Sequence, residues 1–314
     1  MSFFELDPGD HFVWNRAELL KFLANNQGQD ITISTHYEGC CLTSNGVYDL
    51  IDLFKFNSVT VQTSNIFEQH PTYKIEYQRL FHFFKLPATT DYTQHHRWNY
   101  KNIFGGLYNR ALWHRIGLTA TLHDYPTTLN FRSDPHSEDS RRLFELQKLF
   151  EVDPTSAHKF VNLLDQLPTQ LESVDGFTVG NTTIGHTDQL AQYYPNFLID
   201  VVAETFVNGR SFFATEKTVR PMLLKKPFVI MGPKCYLIHL RQMGFRTFND
   251  FWDENYDGFG PAERYKHILS LIDDLSKLSM TELKDMYQRM QPILDHNYNL
   301  LISQNYSKIL DYVE

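Results

Sequence analysis

The chain has 314 residues, a length for two α/β domains. Hydrophobic residues make up 42% and charged residues 21%, which excludes disorder, and no apolar run reaches the eighteen or so residues a membrane span needs. The formal net charge of −8 excludes a generally basic nucleic-acid coat but not a local basic surface.

In chain order, residues 17–25 (AELLKFLAN) predict a short amphipathic helix stopped by Asn25, Asn26 and Gly28. Residues 30–35 (DITIST) alternate β-branched and polar side chains and predict a strand; 47–54 (VYDLIDLF) predict a helix and 58–63 (SVTVQT) a second strand. Strand, helix and strand within this length make a βαβ unit with a parallel sheet, and the loop at His36 to Gly39 falls at a carboxyl strand end, where ligands bind. A helix is expected within 104–122, opened by Gly105-Gly106. Residues 124–140 read as loop, 141–150 as helix, and Pro154 opens another helix that Pro168 halts; Gly176, Gly180 and Gly185 mark turns.

From Tyr193 the alternation sharpens. Residues 196–203 (NFLIDVVA) predict a buried strand, 204–213 a loop, and Thr215 the N-cap of a helix with Pro221 near its first turn. Residues 227–231 (PFVIM) predict a second strand, 234–243 a helix closed by Gly244, and 245–248 (FRTF) a third strand. The tail predicts a helix over 264–278, a capping box at Ser279–Glu282 opening a helix to about Leu294, and a last helix over 296–312. The expected class is α/β, with two Rossmann-like lobes and a helical tail. The expected divisions are an N-terminal lobe over 1–175, a C-terminal nucleotide lobe over 176–278 and closing helices over 279–314.

Two stretches carry chemistry. Between Lys74 and Arg115 seven basic residues (Lys74, Arg79, Lys85, Arg97, Lys101, Arg110, Arg115) face two acids (Glu76, Asp91), with aromatics threaded through. Such interleaving suits a polyanion whose bases stack while its phosphates are neutralised, and equally suits a solvated basic face on an aromatic subdomain. Second, the helix start at Thr215, Glu216 and Lys217 offers free amides and a partial positive charge to a phosphate. Lys217, Arg210 and Arg220 add charge, and Glu216 can accept from a ribose diol. Cys40, Cys41 and Cys235 give neither a disulfide framework nor metal spacing. With an opening MSFFELDPGDHF that lacks a basic n-region, they predict a cytoplasmic protein. The acids Asp253, Glu254 and Asp257 are clustered as a divalent cation would require.

The order strand, Glu204, loop, Phe213-Ala-Thr215-Glu216-Lys217, helix, then Lys226-Pro227-Phe228-Val229-Ile230-Met231-Gly232-Pro233 resembles the donor half of the α-1,3-fucosyltransferases. The run through Gly244 to Phe248 and Phe251 to Asp257 also looks like a group of phage and virus proteins described as glycosyltransferase-like; together the likeness covers about residues 196–266. It implies a two-lobed GT-B fold and a nucleotide-sugar donor on the C-terminal lobe. Glu216 would take the ribose hydroxyls, Lys217 the donor phosphates, and no metal would be needed. Thr205 and Phe213 stand where those enzymes carry Asn and Tyr, so donor identity does not transfer. The general base of such a transfer is expected at a strand end of the N-terminal lobe, with Glu38, His36 and Asp124 as candidates.

The expected activity is transfer of a sugar from a nucleotide-sugar to a hydroxyl, with a hydroxylated or hydroxymethylated DNA base, bound through 74–115, as one acceptor. A glycan or other small acceptor is the rival, and a non-catalytic glycan- or nucleotide-binding virion protein the alternative of another class. A nucleotidase or phosphatase lacks its nucleophile motif and P-loop.

Overall fold

The computed structural model describes residues 2–6, 15–35, 39–77, 91–108, 110–131, 140–166, 187 and 190–303. Two parallel four-stranded sheets organise them. The first contains β1 (Ser2–Glu5), β2 (Asp30–Thr35), β3 (Ser58–Thr63) and β4 (Lys74–Tyr77) in that order. Register runs Asp30 to Ser58 and Thr35 to Thr63 between β2 and β3. Helix α1 (Arg16–Asn25) buries Leu19 and Leu23, one turn apart, and α2 (Val47–Ile51) follows β2. Among the described residues the order of this sheet never reverses, so they form no switch-point crevice there.

The second sheet has the order β6-β5-β7-β8, with β5 (Asn102–Tyr108), β6 (Thr127–Phe131), β7 (Phe197–Ala203) and β8 (Phe228–Met231). Every side chain of β7 is buried, as a central strand covered on both faces requires. Connecting and flanking helices are α3 (Trp113–Leu122), α4 (Ser140–Val152), α5 (Pro154–Asn162), α6 (Glu216–Leu223), α7 (Tyr236–Gln242), α8 (Pro261–Ser276) and α9 (Met280–Ser303). Sheet membership therefore changes between Tyr77 and Asn102, because β5 and β6 pair with β7 rather than with the first sheet.

Several local expectations differ. Gly105-Gly106 opens no helix; it lies inside β5, where a Cβ on Gly105 would come within 2.5 Å of the Phe197 ring and one on Gly106 within 2.7 Å of Leu122. The glycines serve close packing, not a turn. The segment read as loop contains β6, whose Phe131 and Leu129 are core residues. Residues 245–248 are not a strand: the Arg246 amide donates to Asn297 Oδ1 (2.7 Å) and the Phe248 amide to Glu254 Oε1 (2.8 Å), so side chains replace a ladder. The capping box forms, with the Ser279 amide donating to Glu282 Oε2 at 2.8 Å. The helix it opens runs unbroken through Pro292 to Ser303, and α9 packs on α6. The turns expected at Gly176, Gly180 and Gly185 and the end of the last helix lie outside the described residues. No helix among the described residues is long and apolar enough to cross a membrane.

Candidate functional site

In the second sheet, β5 passes through α3 to β6 on one side and β7 passes through α6 to β8 on the other. Right-handed crossovers in opposite directions put α3 and α6 on opposite faces. The packing agrees: α3 lies against α4, α5 and α8, and α6 against α9. The chain thus diverges at the carboxyl ends of β5 and β7, the switch point where open α/β sheets bind ligands. A cavity of about 370 Å³ opens there, bounded by Leu112, Trp113 and His114 on one side and residues 205–208 on the other. Arg16, Ser44 and Asn45, from the carboxyl edge of the first sheet, close it, together with Glu145 and Lys148 of α4.

The loop after β7 joins both sheets. Phe206 and Phe213 belong to the core of the first sheet, although β7 belongs to the second. Asn65 Nδ2 donates to the Arg210 carbonyl (3.1 Å), and the Ser211 hydroxyl donates to the Gly39 carbonyl. Gly209 has a φ of +70°, and a Cβ there would strike Ser44 and Cys41. The carboxyl edges of the two sheets therefore meet over one loop.

Glu204 is the hub beneath it, 1% exposed. Its Oε1 accepts from the Thr215 amide (3.2 Å), the Thr218 hydroxyl (2.6 Å) and the Tyr236 hydroxyl (3.1 Å). Its Oε2 accepts from the Thr215 hydroxyl at 2.7 Å and lies 3.8 Å from Lys217 Nζ. Thr215 is the expected N-cap and accepts from the Lys217 amide at 3.2 Å. Consequently the start of α6 is engaged by the protein's own carboxylate and hydroxyl, and a phosphate placed there would face Glu204. Lys217 Nζ also donates to Thr215 Oγ1 (2.8 Å) and Glu216 Oε1 (3.1 Å). Burial pushes the Glu216 carboxyl up, but Lys217 and Arg220 outweigh it and hold it down at about 2. Arg220 is buried with Nε unpartnered and sits in the field of Asp200 and Glu216. Arg210 is exposed, its guanidinium 4.9 Å above the Phe67 ring, and does not bound the cavity.

The start of α3 is built differently. Its N-cap, Leu112, has no side chain to offer, and Glu145 of α4 accepts from the Trp113 amide at 2.9 Å instead. Lys148 Nζ donates to the same carboxylate at 2.9 Å. His114 Nε2 is 2.9 Å from the Glu204 carbonyl; a carbonyl only accepts, so Nε2 carries the proton and Nδ1 is a bare lone pair without a partner. Burial and then Arg115 push His114 well below its ordinary range, so the ring is neutral. Arg115 donates to the Ala203 carbonyl at 3.1 Å and is lowered by burial to about 10, still charged at neutral pH. The cations at the cavity are Arg16 and Lys148, the latter paired with Glu145, while the Trp113 amide is engaged by that same carboxylate and His114 Nδ1 is buried.

Of the expected bases, His36 and Glu38 lie outside the described residues. Asp124 precedes β6 at the amino edge of the sheet, opposite the cavity, and pairs with Lys159 at 2.6 Å. The acids after α7 divide into structural roles. Glu254 accepts from Arg241 (3.0 Å) and the Phe248 amide, Asp257 accepts from the Leu237 and Ile238 amides at the start of α7, and Asp253 accepts from the Asn255 amide. No group of three or more His, Cys, Asp or Glu among the described residues could hold a metal.

The basic stretch is likewise divided. Lys74 is in β4, Arg115 is buried in α3, Arg97 and Lys101 stand before β5, and Arg79 and Lys85 lie outside the described residues. Sequence reasoning missed Trp113, His114, Glu145 and Lys148 because β5 was read as part of a helix. The strand pattern of residues 102–108, with glycines in its middle, was the available signal. Comparison with family models, curated proteins and solved structures returned no match for this chain.

Proposed function

We propose that the chain is a nucleotide-sugar-dependent glycosyltransferase of GT-B type, with donor and acceptor meeting in the cavity between the carboxyl edges of the two sheets. The observation that carries this reading is the position of that cavity at the β5/β7 switch point, lined from both sheets. The donor diphosphate lies in that cavity, neutralised by Arg16 and Lys148. Glu216, ionised at any physiological pH, accepts from the ribose hydroxyls. The general base comes from His36 or Glu38, since the chain enters and leaves that segment at Thr35 and Gly39 on the same carboxyl edge. The acceptor is a hydroxyl on a DNA base, flipped to reach the cavity, with a glycan hydroxyl as the rival.

A second reading has its own support. Glu204, Thr215, Glu216 and Lys217 satisfy one another at the α6 start, as in a binding protein that holds a nucleotide or glycan without turnover. A thermal-shift panel of nucleoside diphosphates and nucleotide-sugars tests both, because a ligand at 100 times its Kd adds about 2.7 kcal/mol of stability. A shift for one nucleotide family, lost in Lys148→Ala, together with a mass gain on hydroxymethylated DNA or a glycan, fits the transferase. A shift without any transfer fits the binding protein. No shift with any nucleotide sinks the transferase.

A further inference from the structure

A second cavity lies at the opposite, amino edge of the second sheet. It has a volume of about 560 Å³ and is bounded by Gln94, His96, Arg97, Lys225, Tyr287 and Gln291. These come from the segment before β5, the turn between α6 and β8, and the middle of α9. With seven residues in β5, this edge is roughly 20 Å from the switch point.

Tyr287 starts a chain of edge-on ring contacts there: its hydroxyl donates to the His96 carbonyl (3.1 Å), and its ring meets Trp98 at 5.9 Å. Trp98 in turn meets Tyr100 at 4.8 Å. Tyr100 is 46% exposed and held at a φ of +62°, a left-handed conformation that is costly for a residue with a Cβ. Its ring is displayed outward with Lys284 Nζ 4.5 Å from the centroid. Arg97, Lys101 and Lys284 are exposed and pair with no acid among the described residues. Lys225 is already paired with Asp295 at 2.7 Å, and His96 is held neutral, so the three unpaired cations supply the charge. An exposed aromatic ring beside cations without an acidic partner takes a base and a phosphate together.

We propose that this amino-edge surface binds a nucleoside phosphate, with the phosphate against Arg97, Lys101 and Lys284 and the base on Tyr100 or within the adjoining cavity. The site is separate from the switch-point cavity and does not depend on the transferase reading. The ligand is either a free nucleotide or one unit of a single strand, which the test separates.

The full chain is titrated into a fluorescein-labelled oligothymidylate of about twelve nucleotides, within the usual single-strand site size, with AMP and TMP as competitors. Three phosphate contacts on a single strand give a salt slope near −2, so a fourfold rise in salt weakens binding roughly 20-fold. Tyr100→Ala weakens it roughly tenfold through lost stacking. Arg97→Glu with Lys284→Glu removes it, while the thermal midpoint stays put because both residues are exposed. Strand binding with this pattern identifies a nucleic-acid strand as the ligand. Binding of the mononucleotides alone, lost in the same variants, identifies a free nucleotide. No binding of either probe at low salt, or binding indifferent to these variants, overturns the proposal.

Discussion

The Glu204 carboxylate accepts the Thr215 hydroxyl at 2.7 Å, so the end of β7 and the start of α6 are locked to each other. Thr218 and Tyr236 complete the same carboxylate. This lock fixes the direction in which the loop between them leaves the second sheet and reaches the first, and the wall of the switch-point cavity follows from it.

Breaking the lock destabilises the fold. Hydrogen bonds to charged groups contribute about 1.5–3 kcal/mol each, and a buried donor left unmade costs its desolvation. Glu204→Ala is expected to lower unfolding stability by about 3 kcal/mol or more, and Glu204→Gln by less, since the amide keeps one acceptor. Urea midpoints of both variants check the order.

Gly105 faces the Phe197 ring, with room for no Cβ. Gly105→Ala is expected to cost about 1–3 kcal/mol by overpacking. Adding Phe197→Leu is expected to recover part of that loss, a non-additivity that a double-mutant cycle measures.

Stability depends on pH through two buried groups beneath α6. Burial raises the Asp200 carboxyl to about 6, although the Tyr194 hydroxyl at 2.5 Å favours its charge, and burial lowers Lys226 to about 7. Between the ordinary carboxylate value and about 6, the folded chain keeps a proton at Asp200 that the unfolded chain releases, so stability falls as pH rises. Between about 7 and the ordinary lysine value, the unfolded chain holds a proton that Lys226 has lost, so stability rises with pH. Urea midpoints across this range are expected to pass through a minimum between the two values. Asp200→Asn flattens the acid limb and Lys226→Met the alkaline one; an unchanged profile in both variants contradicts the assignment.

Ligand binding at the switch point has its own signature. Lys148→Glu reverses a charge that bounds the cavity and replaces its ion pair with Glu145 by a like-charge contact. A nucleoside diphosphate is expected to bind this variant at least tenfold more weakly by calorimetry, with affinity falling as salt rises. The same substitution leaves oligonucleotide binding at Tyr100 unchanged.

Elements whose signals are local were legible from the chain alone. DITIST and SVTVQT became β2 and β3 with the expected bounds, and Thr215 and Ser279 capped the helices expected of them. Periodicity and caps act over a few residues, so they survive in any fold that buries the apolar face. Tertiary structure alone decided what depends on distant partners. Gly105-Gly106 signals a turn until Phe197, more than ninety residues on, is known to pack over it. The pairing of β5 with β7 that creates the switch point is written in no local pattern. Glu204 stands at the end of β7, and its distant partners, not its position in the chain, make it a buried lock. The basic residues of 74–115 divide between β4, the exposed segment before β5 and the buried face of α3, because chain proximity alone does not set which side chains share a surface.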